Sequence, residues 1–111
     1  MANNTYEWAY GNGANTGAGG GVAVYVPSGY TCSVVAMSAT LAAGSATIEL
    51  EINGTLTAQT IYVDTAVSRG GAATITAQSI SNGDRVNFRT QSQSGTSGPN
   101  TVTAWLEFTE I

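Results

Sequence analysis

Apolar and polar residues alternate with a period of two along most of the chain. The clearest run is 46–52, which reads Ala-Thr-Ile-Glu-Leu-Glu-Ile, so that its Ile and Leu side chains share one face of an extended strand. Asn53 and Gly54 follow at once, and this dipeptide is typical of a tight hairpin turn because both residues tolerate positive φ. We therefore predict that 46–52 and 55–63 pair as a β-hairpin.

The same alternation predicts further strands at 30–41, 74–80, 85–90 and 101–111, separated by segments rich in Gly, Ser, Asn and Pro. No stretch has helical periodicity. We predict an all-β fold, an antiparallel two-sheet β-sandwich with the topology of a jelly roll of about eight strands. An immunoglobulin-like sandwich is the alternative, although its Cys…Trp…Cys pattern is missing.

The N-terminal part differs in composition from the rest. Six of the eleven residues from Gly11 to Gly21 are glycine. The chain has no Lys and no phosphate-loop spacing, so we interpret this stretch as a flexible or extended connector. The predicted division is an aromatic segment with its Gly-rich connector at 1–21, followed by the β-sandwich domain at 22–111.

The composition argues against several function classes. There is no His and no Lys, and the formal net charge is −4. Without the commonest general base and metal ligand, we expect no enzyme, no metal site and no cofactor. Three Arg cannot form a strong basic patch, so we expect no nucleic-acid partner. The single Cys32 has no partner for a disulfide and is interpreted as a small buried hydrophobe.

The few charged residues are interpreted first as structural. Glu49 and Glu51 alternate with the apolar residues of their strand, which predicts a solvated face. Asp84 lies in a turn segment and is expected to cap it. Arg85 and Arg89 share one strand face and are expected to pair with Glu across a sheet or a subunit interface.

Aromatic residues supply the candidate partner-binding positions. Tyr6, Trp8 and Tyr10 have the spacing of one strand face. They fit either a first strand packed on the core or an N-terminal arm that anchors to a neighbouring subunit, since Tyr and Trp are enriched at interface hot spots. Trp105 falls on the polar face of the last strand and indicates a surface buried between subunits.

The N-terminus has neither a basic region nor an apolar core of the kind that secretory signals contain. The apolar runs are also far shorter than the ~20 residues needed to span a bilayer. We therefore expect no membrane partner and synthesis in the cytoplasm.

The C-terminal half carries a resemblance. The segment 82–88 (NGDRVNF) is followed by a Ser- and Gly-rich loop and then by 101–108 (TVTAWLEF). This pattern resembles the ending of small jelly rolls in bacteriophage structural proteins. It is also similar to the C-terminal strands of the C1q/TNF-like jelly roll, which has a Gly-Asp-x-Val turn before a strand. The likeness covers roughly 46–111 and implies a non-enzymatic, often trimeric virion protein.

Two roles fit that resemblance. The first is a capsid decoration (cement) protein of a tailed phage, a homotrimer on the capsid surface that binds the major capsid protein and stabilises the lattice after synthesis in the host cytoplasm. The alternative is the receptor-binding head of a tail fibre, with a host surface glycan as partner. A short aromatic arm with a Gly-rich tether favours decoration, because such an arm can reach a neighbouring subunit.

Overall fold

The computed structural model describes residues 5–12, 14–15, 20–41, 43–64, 73–95 and 101–111. Within these residues the chain forms strands and turns without a helix. The nine strands are β1 (Thr5–Asn12), β2 (Ala14–Asn15), β3 (Val22–Ala23), β4 (Tyr30–Thr40), β5 (Ser45–Ile52), β6 (Thr55–Asp64), β7 (Ala73–Ile80), β8 (Arg85–Ser94) and β9 (Thr101–Glu110).

The strands form two sheets. The first sheet has the order β1-β9-β4-β7, and the second has the order β2-β8-β5-β6 with β3 also paired to β8. Every long strand pairs antiparallel to its neighbours, and the two-residue β2 runs parallel to β8. From β3 onward each connection except the β5–β6 hairpin passes from one sheet to the other, as in a jelly roll. The predicted fold class, a jelly-roll β-sandwich, is confirmed.

The β5–β6 hairpin is confirmed in the predicted register, with Ile52 opposite Thr55. Asn53 and Gly54 have φ values of 52° and 82°, the left-handed pair that a tight hairpin turn requires. Farther along, the pairing shifts between Glu49 and Glu51. The shift is a bulge in β6, where Ala58 has a φ of 67°.

The alternating pattern places the core between the sheets. In β9, the even-numbered residues from Val102 to Phe108 are buried while Trp105 is exposed, as the alternation predicts. The largest side chains that are almost fully buried are Phe88, Met37, Ile48, Leu50 and Leu106. Cys32 lies in this core as a free, buried thiol, which confirms its predicted role as a buried residue.

The turn between β7 and β8 is closed by the side chain of Asp84. Its carboxylate accepts hydrogen bonds from the Ser81 backbone N–H at 2.8 Å and from the Asn53 amide at 2.9 Å. These bonds favour the charged form and lower the pKa of Asp84 below its ordinary value, with the Ser81 bond the larger cause. The predicted capping role of Asp84 is confirmed, and the turn is tied to the β5–β6 hairpin.

Candidate functional site

The outer face of the first sheet is centred on Trp105. This side chain lies on β9, an interior strand, and is 37% exposed. On the two neighbouring strands, the positions directly opposite Trp105 are Ala36 of β4 and Ala9 of β1. We call the described outward positions around it the Trp105 face; they are Thr31, Ser33, Ala36, Ser38, Thr103, Trp105 and Glu107.

The Trp105 face is nearly uncharged. Small hydroxyl and methyl side chains surround one large aromatic ring, so a second protein surface could approach closely. Glu107 is the charged member of this face, and the backbone register places it directly opposite Glu7 of β1. The described Arg residues, Arg85 and Arg89, belong to β8 of the second sheet. The described part of this face therefore presents weak negative charge and no cation.

The predicted N-terminal aromatic positions lie on the neighbouring strand. Tyr6, Trp8 and Tyr10 pair in register with Phe108, Leu106 and Ala104, respectively. Directly opposed positions of an antiparallel pair share a face, so these three positions fall on the core face of the sheet and Trp105 falls on the other. The three side chains lie outside the described residues, and their role in partner binding stays a prediction.

Two short strands, one within the Gly-rich segment and one directly after it, pair with β8. Ala14–Asn15 and Val22–Ala23 both pair with β8, and several residues between them lie outside the described part of the chain. Gly21 has a φ of 104°, and a Cβ there would lie 2.5 Å from the carbonyl oxygen of Val86. Glycine is therefore required at this point, because the backbone approaches β8 closely. The predicted division of the chain at residue 21 stays a prediction.

The outer face of the second sheet is more polar, and here one prediction is wrong. Glu51, expected in solvent, is fully buried, as is its cross-strand neighbour Asn87. The Asn87 amide donates to the Glu51 carboxylate at 2.9 Å, and the Arg89 guanidinium forms a 3.3 Å salt bridge with it. A buried carboxylate needs such partners, because its desolvation is costly without them. The predicted pairing of Arg89 with Glu across the sheet is confirmed.

Glu49 is fixed by two hydrogen bonds on the same face. One carboxylate oxygen accepts from the Gln91 amide at 3.0 Å. The other accepts from the backbone N–H of Ala58 at 2.8 Å, at the residue where β6 bulges. Left-handed φ is costly for alanine, so the carboxylate of Glu49 stabilises a strained backbone position. This arrangement could not be predicted from the sequence, because nothing local marks Ala58 as left-handed.

Tyr62 lies on the same face as Glu49, at a diagonal position on the neighbouring strand. It is 60% exposed on β6, directly opposite Thr47 of β5, while Thr60 is directly opposite Glu49. We call the outward set on the second sheet the Tyr62 face; its members are Thr47, Glu49, Thr60, Tyr62, Arg89 and Gln91. Sequence analysis named neither Tyr62 nor Gln91 as a functional residue.

The remaining features offer little for catalysis. Burial raises the pKa of the Cys32 thiol to about 11, so the nucleophilic thiolate is suppressed at neutral pH. A groove of about 560 Å³ at one end of the sandwich is lined by hydroxyl, amide and apolar residues, and no carboxylate lines it among the described residues. The part of the chain that the structure describes holds no group of three acidic, Cys or His residues that could bind a metal ion.

Comparison of the sequence with protein-family models and with curated proteins finds no match. Among the described residues, no helix is long and apolar enough to cross a membrane. The class that the geometry defines is therefore an all-β jelly-roll sandwich with two chemically different outer faces.

Proposed function

We propose that the chain is a non-enzymatic structural protein of a tailed-phage particle, a capsid decoration protein that forms a homotrimer and binds the major capsid protein at the capsid surface. The observation that carries this proposal is the Trp105 face. An aromatic ring flanked by alanine positions on both neighbouring strands has the composition of an interface hot spot rather than of a catalytic cleft.

The size of the face is adequate for a contact between copies. Four strands spaced by ~4.8 Å, with lengths of 8 to 11 residues at ~3.4 Å per residue, cover about 600 Å². A standard protein interface buries about 800 Å² on each partner, so the Trp105 face provides most of what one contact needs. We assign it to contacts with two further copies of this chain around a threefold axis, since a surface with few charges can lie close to other copies with little electrostatic repulsion.

The stabilising mechanism is mass action. A protein that binds the assembled capsid lattice, and not the dissociated subunits, shifts the equilibrium towards the lattice. No chemical step is needed, and the fold provides a rigid platform for binding.

The location of the protein is tested by its copy number. Quantitative mass spectrometry of purified particles compares this chain with the major capsid protein. A ratio near one copy per capsid subunit supports decoration. Far fewer copies would indicate that the chain belongs to the tail and would support a receptor-binding head. Absence from the particles would overturn both roles.

The subunit contact is tested by Trp105→Ala. We expect the wild-type chain to have three times the 11.3 kDa chain mass in light scattering coupled to size exclusion. Removing a hot-spot Trp costs roughly 2 kcal/mol or more at each contact, so the variant should dissociate at concentrations where the wild type is intact. Tyr25→Ala is the matched control, because Tyr25 is 70% exposed and lies on neither outer face as defined above. A monomeric wild type would contradict the assignment.

A further inference from the structure

We propose that the Tyr62 face is a carbohydrate-binding site that accepts a neutral pyranose with adjacent hydroxyl groups. This inference goes beyond the proposed function, because it concerns the opposite face of the sandwich and a different kind of ligand.

The aromatic part of the site is Tyr62. Tyr62 lies near the end of β6 and is 60% exposed, so much of its ring is accessible to a ligand. Such a ring combines an apolar body with a hydroxyl group, and it can pack against the C–H groups on one side of a sugar ring. The flanking outward residues on these strands, Thr47 and Thr60, are small and leave the ring accessible.

The polar part of the site is prearranged. Each carboxylate oxygen of Glu49 already accepts one hydrogen bond, from Gln91 or from the Ala58 backbone, and each can accept a second. Arg89 is oriented by its salt bridge with Glu51 and keeps 27% of its side chain exposed. A guanidinium has five N–H donors, and the described contact with Glu51 uses one of its nitrogens. Fixed acceptors and donors side by side suit the vicinal hydroxyl groups of a sugar.

The spacing agrees with one sugar ring. Tyr62 is opposite Thr47, and Glu49 lies two residues farther along β5 on the same face. Two residues of a strand span about 7 Å, so one pyranose over the Tyr62 ring would bring its hydroxyl groups to the carboxylate.

The bulge at Ala58 shows how the carboxylate of Glu49 is held in place. Strained backbone and β-bulges are enriched next to binding sites, where they direct a side chain. Here the left-handed Ala58 turns its N–H towards Glu49 and fixes the carboxylate beside Tyr62. A surface that served only solubility would not need this arrangement.

The charges favour a neutral sugar over an acidic ligand. Arg89 is largely compensated by Glu51, and Glu49 adds negative charge beside it. The three groups together are net negative, because Glu49 has no second cation beside it among the described residues, so a sugar carboxylate or a nucleic-acid phosphate would be repelled.

The test is saturation-transfer NMR on the full chain with four probes, namely the methyl glycosides of glucose, galactose, mannose and N-acetylneuraminic acid. We expect transfer to at least one neutral glycoside. Tyr62→Ala should weaken its binding about tenfold or more, whereas Tyr62→Phe should retain it because the ring is kept. Glu49→Gln should weaken binding as well, and Tyr25→Ala, which removes an equally exposed ring elsewhere, should leave it unchanged.

Three binding results would overturn the proposal. They are no transfer to any neutral glycoside, transfer to the N-acetylneuraminic acid glycoside alone, and equal binding by the wild type and Tyr62→Ala. A fall in molar mass on Tyr62→Ala without sugar binding would also overturn it, because the face would then be a subunit contact. The copy-number experiment is independent of these readouts, so this proposal and the decoration role can fail separately.

Discussion

Replacing Arg89 with methionine should destabilise the protein far more than the same replacement at Arg85. Both residues lie on β8, and both changes remove one positive charge and keep an unbranched side chain. They differ in their contacts. Arg89 forms a salt bridge with the fully buried Glu51, whereas Arg85 is exposed.

The expected loss of stability follows from the burial of Glu51, the partner of Arg89. Removing one member of a buried ion pair costs about 3–5 kcal/mol, because the other charge stays buried without its counterion. Arg89 is 27% exposed, so water reaches this site, and the Asn87 amide still donates to Glu51 in the variant. We therefore expect a loss of about 2–3 kcal/mol for Arg89→Met. Arg85→Met should remain within about 0.5 kcal/mol of the wild type.

The assay is thermal and urea unfolding at one fixed protein concentration, followed by tryptophan fluorescence. For a chain of this size, 1 kcal/mol corresponds to about 4 °C, so Arg89→Met should lower Tm by roughly 10 °C. The coupling free energy between Arg89 and Glu51 is measured by making Arg89→Met in the Glu51→Gln variant as well. There the buried charge is gone, and Arg89→Met should cost about 1 kcal/mol or less. Equal effects of the two Arg substitutions, or an unchanged cost in the Glu51→Gln background, would refute the reasoning.

Two further predictions concern the core and the turns. Cys32 should resist alkylation by iodoacetamide at pH 8 in the folded protein and react quickly in urea. The reason is that burial raises the pKa of its thiol from an ordinary 9.0 to about 11. Fast labelling of the folded protein would contradict the burial of Cys32. Gly54→Ala should lower the free energy of unfolding by about 1–2 kcal/mol, because residue 54 has a left-handed backbone. No neighbouring atom would contact the added Cβ, so the backbone strain is the whole cost. Gly44→Ala has a similar φ but overlaps the carbonyl oxygen of Ser94, so it should cost about 3 kcal/mol or more in the same unfolding assay. Equal costs for the two glycine variants would show that the backbone relaxes at Gly44.

Much of the fold could be predicted because its signals are local. Asn53-Gly54 fixes a hairpin by its own conformational preference, and the alternation in β9 fixes which side chains enter the core. Trp105 was found in the same way, since an aromatic residue out of phase with the apolar face has to lie outside. These inferences need only the chain within a few residues of the feature.

The polar network could not be predicted because its causes are distant in sequence. Glu51 has the strand position of a solvated residue, and only the pairing of β5 with β8 brings Asn87 and Arg89 to it. The bulge at Ala58 likewise depends on Glu49, nine residues earlier on the partner strand. Alternation tells which face a residue occupies, but it does not tell what else covers that face.

The two outer faces differ in a way that makes both proposals compatible. A sandwich has its two outer faces on opposite sides, so copies that pack through the Trp105 face would keep the Tyr62 face away from that contact. The described Arg residues lie on β8, and Arg89 pairs there with the buried carboxylate of Glu51 on β5, so the described ion pair belongs to the second sheet. The first sheet has small side chains around one ring, which suits the close approach of another surface. The uneven division of polar groups between the sheets is thus the physical basis for assigning self-association to one face and ligand recognition to the other.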